Sequence, residues 1–155
     1  ALLAVLCYLT RVLLDASGRK SDWATRWNRV IWTIGCAVLW LHIAAAFHFV
    51  HQWSHESAVR QTAEQTGDLT GWYWGGGVYI NYALALFWLG DVIAWWRKGL
   101  DYPQRSPKRF WITHAIFGFL VFNATVVFGP VYWKAIGLLC LGWLSGLGIS
   151  RTIKR

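Results

Sequence analysis

Three histidines, His48, His51 and His55, close a long apolar stretch in the pattern H-x2-H-x3-H. On one continuous helix they would fall within about 60° of each other, since each residue turns the chain by about 100°. Neutral imidazole is a good ligand for zinc, copper, iron or nickel. Three imidazoles on one face, where an apolar helix meets water, are therefore expected to hold a transition-metal ion or a metal-bearing cofactor such as a haem or a chlorophyll-type pigment. Glu56 points about 100° away from His55 on such a helix, so it is not an automatic further ligand. The competing reading is a hydrogen-bonded packing face whose rings reach toward water.

Gly75, Gly76 and Gly77 follow shortly in G-W-Y-W-G-G-G. Glycine weakens a helix by roughly 1 kcal/mol against alanine, and it lets a neighbouring backbone or a flat ligand come close. These glycines are expected at the depth of the histidines, forming the opposite wall of the site. The intervening stretch 56–66, rich in helix formers, would continue the second helix and cover it, with Gly67 as its C-cap.

A second set of polar residues is Arg11, Asp91 and His114. Each lies four or five residues from the same end of its apolar segment, a common depth of about 7 Å at 1.5 Å per residue. Ionisable groups at such depth are costly and normally paired. Asp91 is expected to pair with Arg11, His114 or both, either as glue between helices or as a proton path.

His42, deep in the second apolar segment, is a further candidate cofactor ligand. Its depth and that of His114 differ by about 12 Å along the helix direction, which disfavours a bis-histidine haem on this chain alone. A five-coordinate haem or chlorophyll on one histidine stays open.

The elements that must position these groups are apolar helices. Of 155 residues, 56% are hydrophobic and only 14% charged, with 13 tryptophans; a soluble domain carries about 25% charge. Five stretches, about 1–15, 29–53, 73–96, 110–128 and 131–149, approach the roughly 20 residues that cross a bilayer. The fold expected is an all-α polytopic membrane bundle of about five transmembrane helices in a single domain. The chain has no methionine, so sequence is expected upstream of Ala1, and whether the first span is complete stays open.

Lys and Arg concentrate in three places: Arg19, Lys20, Arg26 and Arg29; Arg97, Lys98, Arg105, Lys108 and Arg109; Arg151, Lys154 and Arg155. The alternate connections carry only Arg60 and Lys134. The positive-inside rule then places the N-terminus outside and the C-terminus in the cytoplasm, with a bacterial inner membrane as the expected location. Most tryptophans, including Trp27, Trp32, Trp95 and Trp96, fall near span ends as an interfacial belt, while Trp40 and Trp88 lie deeper.

The net charge of +8 thus reads as topology and attraction to anionic lipids, with no basic soluble face for nucleic acid. Cys7, Cys36 and Cys140 have no metal-ligand spacing and read as small buried hydrophobes. No hydrolase, metalloprotease or nucleotide-binding motif occurs. The expected function is a small non-catalytic membrane subunit that binds a metal ion or metal-bearing cofactor at His48, His51 and His55, within a larger redox or energy-converting complex. Its partners would be lipids and other membrane subunits. The rivals are a purely structural accessory subunit and a proton carrier using Asp91 and His114.

Overall fold

The computed structural model describes residues 2–16, 21–102 and 106–122. The described residues form five helices: α1 Leu2–Ala16, α2 Asp22–Phe49, α3 His55–Thr70, α4 Gly77–Lys98 and α5 Pro107–Phe122. The chain divides into two compact units, residues 1–103 and 104–155. The expected span 131–149 lies outside the described residues.

Each boundary follows from local chemistry. Ser21 caps α2 by accepting the Ala24 N–H at 3.3 Å, and Asp22 sits in the first turn, where a carboxylate suits the positive end of the helix dipole. At the far end the Trp53 N–H returns to the Phe47 carbonyl at 2.8 Å. Gln52 and Trp53 stand in the left-handed region, φ 48° and 61°. Ser54 then starts α3 by accepting the Ser57 N–H at 3.2 Å.

The expectation that α2 runs on beyond His55 is therefore corrected. The chain breaks at 50–54 because Ser54 offers a new cap and the last α2 carbonyls are met by turn N–H groups. The stop expected at Gly67 is corrected too. The helix continues to Thr70 and ends at Gly71, φ 76°, whose N–H bonds the Gly67 carbonyl at 2.8 Å. Gly67 is buried inside α3, where a Cβ would stand 2.5 Å from the Tyr73 ring.

In the first unit α1 packs on α2, α2 on α4, and α3 on α4. The core holds Tyr8, Trp32, Cys36, Ala85, Trp88, Val92 and Trp95. At Gly35 α1, α2 and α4 come close together: a Cβ there would stand 2.8 Å from both Cys7 Cβ and the Trp88 ring. Trp32 and Trp95 are wholly inside rather than in an interfacial belt, at 0% and 1% exposure. Trp88 is buried as its depth implies, while Trp40 is partly exposed.

Two described helices, α2 with 28 residues and α4 with 22, are long and apolar enough to cross a membrane. The described parts of α1 and α5 comprise 15 and 16 residues. In the second unit Pro107 takes the first position of α5, where its missing N–H costs nothing. One turn further in, the Phe110 and His114 rings meet edge to face at 4.3 Å.

Candidate functional site

The buried polar centre of the first unit is built by three helices. From α1, Arg11 is 2% exposed. Its Nε lies 3.5 Å from Asp15 Oδ2, one turn along the same helix. Its Nη1 lies 3.7 Å from Asp91 Oδ2 on α4. The guanidinium is stacked 3.9 Å over the Trp32 ring of α2 and 5.0 Å from the Trp95 ring of α4.

The carboxylates have further partners. The Trp32 Nε1–H donates to Asp91 Oδ2 at 3.0 Å, and Asn28 Nδ2 donates to Asp15 Oδ1 at 2.7 Å. Asn28 and Trp32 sit one turn apart on the same face of α2. Trp95 donates its own Nε1–H to the Leu100 carbonyl at 3.3 Å, which holds its ring beside Arg11. The result is a cation with indoles and carboxylates around it, from α1, α2 and α4.

Chemically this is an interhelical ion pair, in which Arg11 Nε and Nη1 face the carboxylates at ion-pair distance without a hydrogen bond. A buried charge is tolerated only when paired and hydrogen-bonded, and an arginine stays charged while its plane stacks on aromatic faces. The expected Arg11–Asp91 pairing is present. His114, the third expected member, belongs to the second unit. Asp15, Asn28, Trp32 and Trp95 were not anticipated from the sequence; the i,i+4 spacings Arg11–Asp15 and Asn28–Trp32 were the signals available.

The histidines His48, His51 and His55 go to three different settings. His48 remains on α2, its ring 4.6 Å from Phe49 and 6.2 Å from Trp53. His51 lies in the turn, 5.5 Å from Phe47, and its buried Nδ1 has no hydrogen-bond partner. His55 opens α3, with Nδ1 3.2 Å from Tyr82 Oη and Nε2 3.2 Å from Tyr79 Oη. A neutral imidazole donates through one nitrogen and accepts through the other, so both of its nitrogens are engaged.

The single helical face assumed for these residues does not form, because the left-handed turn at Gln52 and Trp53 redirects the chain between His48 and His55. Among the described residues no group of three or more His, Cys, Asp or Glu side chains is placed to hold a metal ion. His42 is exposed on α2.

Of these glycines, Gly75 admits backbone. A Cβ at Gly75 would stand 2.5 Å from the Val59 carbonyl oxygen, and one at Gly77 would stand 3.2 Å from Thr62 Cγ2. A Cβ at Gly76 would run into the Trp74 ring. At Gly75 and Gly77 the close approach is thus filled by α3, and at Gly76 by Trp74.

Comparison with family models, curated proteins and solved structures finds no match. The reading of this chain rests on its own geometry.

Proposed function

We propose that this chain is a small, non-catalytic, integral membrane helical subunit, whose task is to present an apolar helical surface to partner membrane chains. The observation that carries this reading is the contrast between its outside and its centre. The most apolar windows of α2 and α4 are only 17% and 28% buried, whereas the core helix of a soluble protein would be mostly buried. Leu41, Ile34, Leu86 and Ile93 are all exposed on these two helices, and contiguous apolar surface of this kind suits lipid or a neighbouring helix. The charged groups within the unit are meanwhile matched to each other at Arg11, Asp15 and Asp91.

Under this reading the polypeptide crosses a bacterial inner membrane about five times, N-terminus outside, with the Arg26, Arg29, Arg97 and Lys98 end in the cytoplasm. His55 serves to fasten α3 to α4 through two tyrosines, and the Arg11 clamp sets the register of three helices.

The test is gentle extraction from the native membrane, followed by identification of co-purifying chains, metal analysis and a visible spectrum. Stoichiometric partner chains with neither metal nor pigment bear out the proposal. Stoichiometric metal or pigment, lost on replacing His48 and His51, would overturn it in favour of a ligand-binding subunit. The unpartnered Nδ1 of His51 is the one observation on that side.

A further inference from the structure

The inner end of the α2–α4 seam carries a second constructed feature, separate from the Arg11 clamp. Trp96 of α4 donates its Nε1–H to Thr33 Oγ1 of α2 at 3.0 Å. Thr33 in turn donates to the Arg29 carbonyl one turn earlier, at 2.9 Å. Held this way, the Trp96 ring forms a floor under the Arg29 guanidinium, whose Cζ is 3.8 Å from the ring centroid. The Arg29 Nε is buried and has no hydrogen-bond partner. Enclosed as it is, this nitrogen cannot meet an outside acceptor itself, and an acceptor from outside the chain would reach the guanidinium through its terminal N–H groups.

The surroundings state what that acceptor is. Arg26 lies one turn before Arg29 on the same flank of α2, and Arg97 and Lys98 end α4 at this same end of the antiparallel pair; all three are exposed. The exposed carboxylates among the described residues here are Asp22 and Asp101, so cations prevail. Trp23 and Trp27 stand exposed beside them, edge to face at 6.0 Å, as tryptophans do at the headgroup level of a bilayer. A planar guanidinium fixed on an aromatic face presents its N–H donors to phosphate oxygens in a bidentate fork.

We propose that Arg29, seated on Trp96, binds the phosphate of an anionic phospholipid headgroup at the inner face, with Arg26 as a second cation. The proposal rests on the membrane reading above. The headgroup phosphate meets the terminal N–H groups of Arg29, and its acyl chains run along the exposed apolar flanks of α2 and α4.

The experiment uses the full chain purified in detergent, with bound lipid counted by native mass spectrometry after addition of phosphatidylglycerol, phosphatidylcholine or inorganic phosphate. Phosphatidylglycerol should be retained in preference to phosphatidylcholine and resist competition by millimolar inorganic phosphate. Arg29→Gln should lower its retention about tenfold, the worth of one charge-assisted hydrogen bond, and Arg29→Lys should fall between. Equal retention of the two lipids, or an unchanged Arg29→Gln variant, would overturn the proposal. Displacement of the lipid by inorganic phosphate would overturn it as well, making this a general anion site. The helical circular dichroism of each variant is recorded, and Arg29→Lys carries the test if Arg29→Gln does not fold. An alkaline wash of native membranes separates the two readings: release of the chain defeats the membrane reading, whereas retention without lipid preference defeats this inference alone.

Discussion

The indole N–H of Trp32 reaches Asp91 Oδ2 at 3.0 Å, the same carboxylate oxygen that faces Arg11 Nη1 at 3.7 Å. One oxygen on α4 is thereby shared between a neutral donor on α2 and a cation on α1. Three helices meet at an atom whose negative charge each of the others needs. The first expected outcome concerns that charge. Arg11→Leu leaves two carboxylates without their shared cation and should destabilise the unit by about 3 kcal/mol, as removal of one partner from a buried pair does. Arg11→Leu combined with Asp91→Leu should recover much of the loss, since replacing both members by apolar groups is often close to neutral. Thermal unfolding in detergent, followed by circular dichroism, measures both.

Trp32→Phe keeps an aromatic floor under Arg11 but removes the donor to Asp91. The expected cost is about 1–2 kcal/mol, the value of a hydrogen bond to a charged group together with some loss of packing. Trp32→Ala should cost more, because it empties a position that is wholly enclosed. A Trp32→Phe variant as stable as the parent would mean that the 3.0 Å contact contributes nothing to the clamp.

Gln52 and Trp53 occupy a left-handed backbone that suits glycine. Gln52→Gly should therefore stabilise by up to about 1 kcal/mol, the strain relieved being partly offset by the freer unfolded chain. The same substitution at an ordinary α-helical position such as Ala44 should destabilise by a similar amount. Paired melting curves give the sign of each change.

Gly75→Ala sets a methyl group 2.5 Å from the Val59 carbonyl oxygen, a distance that backbone must move to relieve. The overpacking should cost about 1–3 kcal/mol and push α3 away from α4. Hydrogen exchange in α3 should accelerate, while α1 and α2 stay protected. If exchange in α3 is unchanged, the α3–α4 contact is not set by this glycine.

His55→Phe removes both tyrosine hydrogen bonds at once, whereas Tyr79→Phe and Tyr82→Phe remove one each. Amide exchange at the start of α3 should rise most in the histidine variant and by smaller steps in the two tyrosine variants. Equal exchange in all three and in the parent would show that the tyrosines do not anchor the helix.

How much of this was legible in the sequence depends on whether one dimension carried the signal. The Arg11–Asp91 pair was readable because two costly charges at a common depth in apolar helices have few ways to be satisfied. Trp32 and Trp95 were misplaced in an interfacial belt because an indole near a span end looks alike whether it faces headgroups or a neighbouring carboxylate. The three-histidine face failed for a related reason. Helical periodicity was extended across Ser54, although a serine followed by an acidic first turn at Glu56 is a start signal. Gly75 and Gly77 are points of close approach, but their neighbours, Val59 and Thr62 of α3, could be named only from tertiary structure.

The position of Asp15 gives the clamp an order in time. Asp91 lies 80 positions beyond Arg11 and emerges from the ribosome only after α1, α2 and α3 have been made. Until then Arg11 would be a lone cation in an apolar helix. Asp15, one turn away on the same helix, is available as soon as α1 forms, and Asn28 and Trp32 follow with the first part of α2. The local pair thus gives Arg11 a counter-charge on its own helix before α4 is made, and it remains beside Asp91 in the folded unit.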